Sequence, residues 1–173
     1  MASPLTLLLG GAASGKTALA ETLARATGLP RVYIATAQAF DAEMKAKIEK
    51  HRLDRGAGWT TIEAPVDLAT AIKKAPADHA ILIDCLTLWL TNLLLADHDP
   101  VAAETALLGA LSARAAPVLV VSNEVGQGIV PDNALARRFR EAQGRLNIRV
   151  AAQADTVIQV VAGLPNLLKG QMP

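Results

Sequence analysis

The chain has 173 residues, enough to bury a full core as one domain. Apolar residues make up 51% of it and charged residues 19%, which excludes a disordered polymer and suits an ordinary soluble surface. A formal net charge of +1 leaves no electrostatic footprint for nucleic acid, and no stretch approaches the roughly 18 to 20 apolar residues that span a bilayer. The longest apolar run, around Leu86–Ala96, is broken by Thr91 and Asn92 and reads as a buried helix. Met1–Leu9 has neither a basic start nor a small-residue cleavage site, so no signal peptide is expected. Cys85 is the only cysteine, which rules out an internal disulfide and suits a reducing, cytoplasmic setting. Aromatic residues are only 3%, so the core must be aliphatic.

In chain order the pattern predicts a strand at Leu5–Leu9, a helix at Lys16–Ala26, a strand at Arg31–Ala35 and a helix at Ala39–Leu53. A strand at Thr60–Glu63, a helix at Val66–Lys74, a strand at Ala80–Asp84 and a helix at Leu86–Ala96 continue it. The last third reads as a helix at Ala102–Ala115, a strand at Val118–Ser122, a helix at Asn133–Gln153 and a strand at Thr156–Val161. Pro131 and Asp132 serve as entry and cap of the last helix. Short, near-continuous apolar runs alternating with helical patterns predict an α/β fold with a mostly parallel central sheet. The loop Arg55–Gly58 reads as mobile, and Gly163–Pro173 as a tail over the surface. No repeat, low-complexity tract or domain boundary is visible.

Gly10-Gly11-Ala12-Ala13-Ser14-Gly15-Lys16-Thr17 matches G-x-x-x-x-G-K-[ST] in full, after an apolar strand and at the start of a helix. Its glycines let successive backbone N–H groups close on phosphates, and the new helix adds its positive dipole end. Lys16 then reaches the β- and γ-phosphates while the Thr17 hydroxyl ligates Mg²⁺. A three-layer P-loop NTPase fold follows. Such a site also needs an acid at the end of a neighbouring buried strand, and Asp84 supplies it. Asp84 can alternatively be read as the N-cap of the helix from Leu86.

The guanine-reading Asn-Lys-x-Asp segment of a switch GTPase is missing, for Ser122-Asn123-Glu124-Val125 lacks its lysine and aspartate. A small-molecule kinase or transferase is therefore favoured. Tyr33–Ala37 sets Thr36 at the carboxyl edge of the sheet, where open α/β sheets bind ligands, or else is a plain strand-end turn. Lys50–Arg55 ends a helix with His51 among basic groups. A neutral imidazole can attack phosphorus directly. However, Met44, Ile48 and His51 fall at i, i+4 and i+7, so His51 can equally be a packing residue, and a helix C-terminus favours its cationic form. His79 and His98 sit in polar loop surroundings and receive no role. Ser122–Pro131 is either a connection or a substrate-facing loop whose Asn123-Glu124 pair opposes the cradle. Beyond it, Arg137, Arg138 and Arg140 read as a solvated face, and Arg145 and Asn147 as a face or an acidic-ligand site.

Taken together these segments resemble the bifunctional adenosylcobinamide kinase / adenosylcobinamide-phosphate guanylyltransferase family of cobalamin synthesis. The carriers are GGAASGKT at Gly10–Thr17, YIATA at Tyr33–Ala37, HRLDR at His51–Arg55 and WTTIE at Trp59–Glu63. LIDCLTLWLTNLL at Leu82–Leu94, SNEVGQGIVP at Ser122–Pro131, GRLN at Gly144–Asn147 and VVAGLP at Val160–Pro165 complete the ordered set, which spans Leu7 to about Lys169. Two positions depart from it: Gly56, where the family often has proline, and Ala13, where an arginine is expected.

The resemblance implies that His51 is guanylylated, forming a covalent GMP intermediate. It implies GTP contacts from the cradle, Ala35, Thr36, Ala37, Arg52, Leu53, Asp54, Arg55, Glu63 and Asp84, with Mg²⁺ on Thr17 and Asp84. Its substrates would be adenosylcobinamide, adenosylcobinamide phosphate and GTP, with ATP an alternative in the kinase step, and the assembly would be a homo-oligomer. The helix bearing His51 must then swing toward the nucleotide, with Gly56 and Gly58 as a hinge. The competing readings are a monofunctional P-loop kinase with His51 structural, and a non-catalytic GTP-binding module.

Overall fold

The computed structural model describes residues 4–39 and 41–173. Met1–Ser3 of the apolar start, and Phe40 within the expected helix Ala39–Leu53, lie outside the described residues. The elements run β1 (Leu5–Gly10), α1 (Lys16–Ala26), β2 (Arg31–Ala35), α2 (Ala42–Arg55), β3 (Trp59–Glu63), α3 (Leu68–Lys74) and β4 (Ala80–Asp84). They continue with α4 (Leu86–Leu95), α5 (Pro100–Ser112), β5 (Val118–Asn123), α6 (Ala134–Gln153), β6 (Thr156–Val161) and β7 (Leu164–Lys169).

The strands form one sheet in the order β3-β2-β4-β5-β1-β6-β7, parallel except for the β6–β7 pair. The register aligns the carboxyl ends that matter. Ala35 lies opposite both Glu63 and Asp84, and Gly10 lies opposite Asn123. The residues of the predicted site thus leave the sheet along one edge, as in other open α/β sheets.

The two faces of the sheet are covered unequally. Leu7, Ile34, Ile81, Ile83, Val118 and Val120 pack under Leu68 and Ile72 of α3, Trp89 and Leu90 of α4, Leu107 and Leu111 of α5, and Leu146 and Val150 of α6. The opposite face holds Leu8, Tyr33, Leu82, Leu119 and Val121 under Ala20 and Ala24 of α1. Small alanines let α1 sit close to the strands. Helix α2 joins neither cluster, and Arg55 is its only described residue that is buried.

Element starts differ from expectation where a polar cap decides them. Asp41 accepts the Met44 N–H at 2.7 Å and opens α2 at Ala42 rather than Ala39. Asp67 accepts from Thr70, so α3 starts at Leu68 rather than Val66. Asp99 and Pro100 open α5 two residues before Ala102. The cap of α6 is Asn133, which accepts from Ala136, and not Asp132. The larger correction is at the C-terminus. Ala162 (φ 51) and Gly163 (φ 75) make a two-residue turn, and Leu164–Lys169 returns as antiparallel β7 instead of wandering. Its residues are all exposed, so the burial signal that announces a strand is missing there.

Trp89 is 1% exposed and donates its indole N–H to Val66 O at 2.7 Å, joining α4 to the start of α3. Trp89→Ala should therefore lower unfolding free energy by about 3–5 kcal/mol. Urea unfolding followed by circular dichroism measures it, and a loss below about 1 kcal/mol would contradict this packing.

Candidate active site

The phosphate cradle, Gly10–Thr17, runs from the end of β1 into the first turn of α1. Gly15 is the N-cap of α1 at φ 95, and a Cβ there would lie 3.0 Å from the Gly163 α-carbon. At Gly10 a Cβ would meet Ser14 Oγ at 2.3 Å and the Val160 carbonyl at 2.7 Å. The Gly163 N–H donates to Ser14 O at 2.8 Å. The β6–β7 turn, absent from the sequence reading, is thus the wall behind the cradle. Lys16 is buried and donates to Gly11 O at 2.8 Å, closing the loop on itself where phosphate oxygens would otherwise be contacted. Burial pushes its ammonium below the ordinary lysine value, opposed by the nearby Cys85 and Asp84.

Asp84, at the end of β4, receives two hydroxyl hydrogen bonds on one oxygen, from Thr17 Oγ1 and Tyr33 OH, both at 3.0 Å. It does not cap α4; Cys85 occupies that position. Burial, then the Asp84 carboxylate, pushes the Tyr33 phenol far above its ordinary value, so Tyr33 stays a donor. Burial likewise raises the Cys85 thiol. Among the described residues no group of three His, Cys, Asp or Glu side chains could hold a metal. The Thr17–Asp84 pair nevertheless fits Mg²⁺, a hard cation that keeps several waters and takes one or two protein oxygens beside substrate phosphates.

A cleft of about 1060 Å³ opens over this edge. Ala12, Ala13, Lys16, Thr17 and Asp84 line it, and so do Met44, Ile48, His51, Arg52 and Arg55 of α2. His51 is exposed, so the shared face with Met44 and Ile48 is a cleft lining and not a packed seam. Arg52 pairs with Glu49 at 2.8 Å on the surface, a contact worth little. Arg55 behaves differently. It is 7% exposed, its guanidinium lies 3.5 Å from the Tyr33 ring centroid, and its carbonyl accepts from Arg25 at 3.0 Å.

Other predicted contacts divide. Ala35, Ala37 and Glu63 line the cleft. Thr36 is fully buried, its hydroxyl donating to Cys85 O and accepting from Cys85 N, so it shapes the Asp84–Cys85 turn from beneath. Leu53 lines a smaller neighbouring hollow with Arg52, Arg55 and Trp59, and Asp54 is exposed and lines neither. Ala13 takes a left-handed φ of 53. Gly56 has φ 72, which a proline at that position could not adopt. Sequence reasoning assigned Tyr33 no role. It is the chain's only tyrosine, set in an aliphatic strand one residue position from covering Asp84's neighbour, and that isolation was the available signal.

The family model for cobinamide kinase / cobinamide phosphate guanyltransferase matches residues 6–168. The chain belongs to that family. It is similar to the bifunctional adenosylcobalamin biosynthesis protein CobP of Pseudomonas aeruginosa, with 48% identity covering 95% of this chain and 97% of the relative. It is also similar to the proteins named bifunctional adenosylcobalamin biosynthesis protein CobU of Salmonella typhimurium, at 45% identity, and of Escherichia coli, at 39%. Each of these comparisons covers 92% of this chain and 97% of the relative. A solved structure of a Pyrococcus horikoshii OT3 protein, project PH0250, shares the fold at a TM-score of 0.58 and 9% identity, covering 98% of this chain and 87% of that one. As a member of this family the protein is an enzyme of cobalamin biosynthesis with P-loop nucleotide-binding character. No helix among the described residues is long and apolar enough to cross a membrane.

Replacing Gly15 by Ala should weaken GTP binding by roughly tenfold or more, since strain and the Gly163 approach displace the cradle amides. Lys16→Ala should do the same with the fold intact. Equilibrium titration with a fluorescent GTP analogue, beside an unchanged circular dichroism spectrum, checks both.

Proposed function

We propose that the protein phosphorylates the aminopropanol hydroxyl of adenosylcobinamide and then joins GMP from GTP to that phosphate, through a covalent bond to His51. The reading is carried by one observation: His51 and the cradle residues Lys16 and Thr17 line a single cleft. A histidine serving only to pack α2 would have no reason to face a triphosphate site.

In the first step the substrate hydroxyl oxygen bonds to the γ-phosphorus, the β–γ bridging bond breaks, and the hydroxyl proton passes to solvent. Lys16 and the cradle amides stabilise charge on the transferring group, the main help this chemistry needs. Mg²⁺, held by Thr17 and Asp84, would supply further neutralisation of the phosphates. In the second step a His51 ring nitrogen bonds to the α-phosphorus of GTP, and pyrophosphate leaves as the α–β bridge breaks. An oxygen of adenosylcobinamide phosphate then displaces the imidazole, giving adenosylcobinamide-GDP. Dividing the exchange in this way implies ping-pong kinetics. Arg52, Arg55, Glu63 and the Ala35–Ala37 edge would surround the nucleotide.

Helix α2 buries little, so carrying His51 to the α-phosphorus forfeits little apolar contact. The exposed Leu164, Leu167 and Leu168 of β7 support a homo-oligomer. A lone buried cysteine and the soluble composition support a cytoplasmic setting.

Protein incubated with GTP and a divalent cation should gain the mass of one GMP, located on His51 by peptide mass spectrometry. His51→Ala should lose the adduct and the transferase step while retaining phosphorylation of adenosylcobinamide. Normal production of adenosylcobinamide-GDP by that variant would refute the covalent scheme.

A further inference from the structure

The connection after β5 is held more firmly than a turn requires. The Asn123 N–H donates to Thr87 Oγ1 at 2.8 Å, and its carbonyl accepts from Asn147 Nδ2 at 3.2 Å. Asn147 Oδ1 in turn accepts from Ser122 Oγ at 2.6 Å and Gln143 Nε2 at 3.0 Å, and all three side chains are buried. Gln143 Oε1 finds no partner there. Burying so much polarity is costly, and its return is geometric: Asn123 is fixed from both sides on the wall of the nucleotide cleft.

Past Asn123 the loop is braced from α6. Arg140 donates to the carbonyls of Gly126, Gly128 and Ile129, and Arg137 to those of Pro131 and Asp132. A ten-residue glycine-containing segment is thereby held in one shape, and that shape keeps Ile129 97% and Val130 67% exposed. Apolar side chains displayed by a braced loop mark a surface that something else covers.

Size identifies the occupant. A cleft of about 1060 Å³ accommodates a nucleoside triphosphate and leaves no room for a corrin macrocycle beside it. The macrocycle must stay outside while its aminopropanol arm reaches in. Asn123 stands where the cleft wall becomes the loop, and the Glu124 N–H donates to Gly10 O, placing the loop's root against the cradle.

We propose that the β5–α6 loop is the corrinoid seat: Ile129 and Val130 support the apolar face of the macrocycle, and the Asn123 amide hydrogen-bonds the arm's hydroxyl and, later, its phosphate. This rests on the reading that the acceptor is adenosylcobinamide. The test is steady-state kinase kinetics of an Ile129→Ser/Val130→Ser double variant and, separately, of Asn123→Ala. The double variant should raise KM for adenosylcobinamide by about tenfold, with kcat and the nucleotide KM changed less than twofold. Asn123→Ala should raise the same KM and also lower kcat, because it touches the reacting arm. Unchanged KM in both overturns the seat, and so does a double variant that changes only its sedimentation, which would reassign the pair to a subunit contact. Wild-type protein that acquires GMP on His51 from GTP alone, yet never turns over adenosylcobinamide, would instead remove the substrate reading.

Discussion

The close approach of two backbones sets the cradle. Gly15 and Gly163 come so near that a Cβ on Gly15 would lie 3.0 Å from the Gly163 α-carbon, and the Gly163–Ser14 hydrogen bond ties the β6–β7 turn to the loop. Phosphate binding by a loop depends on amides that point inward before the ligand arrives, since reorienting them at binding would cost affinity. Here preorganisation comes partly from 150 residues further along the chain. The sheet order makes it possible, because β6 pairs directly with β1 and delivers the turn to the loop that β1 begins.

A rigid cradle and a thinly packed helix divide the labour within one cleft. Helices α3 to α6 pack into the core with leucines, isoleucines and valines, whereas α2 places Met44, Ile48 and His51 on the wall of the cleft. Local stability follows buried area. The inner face of α2 lines the cleft over the cradle, so apolar packing there would close the cleft.

The periodicity of the chain sufficed for most of the architecture, and the reason is composition. Strands such as Ala80–Asp84 are buried on both faces, so they appear as unbroken apolar runs, and the P-loop pattern fixes the first strand–helix junction. What escaped had no such signature. β7 is exposed along its whole length and carries Pro165, so neither alternation nor burial betrays it; only the turn residue Gly163 hinted at a hairpin. His51, Lys16 and Asp84, singled out by resemblance, motif and strand-end position, line one cleft. Thr36, set at a strand end, turns its hydroxyl onto Cys85, and that direction depends on the Asp84–Cys85 turn, which no local pattern encodes. Asn147, read as either a solvated face or an acidic-ligand contact, is buried: its helix faces the core through Gln143, Leu146 and Val150, and a buried amide network looks polar in sequence.

Tyr33 ties these parts together and bears on how α2 moves. Its hydroxyl holds the Asp84 oxygen that Thr17 also uses, while its ring carries the Arg55 guanidinium at the far end of α2. A buried cation–π contact of this kind is worth about 2 kcal/mol, more than the exposed Arg52–Glu49 pair on the same helix. Arg25, bonded to the Arg55 carbonyl, adds a second tether at the same point. These contacts anchor the last residue of α2, and Gly56 and Gly58 lie just beyond that anchor. Displacement about such an anchor would grow toward the N-terminal end of α2, and His51 lies one turn from Arg55. The rotation that the proposed chemistry calls for would then move His51 by a short distance, while the Asp84 corner, held by the same tyrosine, would stay in register with the cradle.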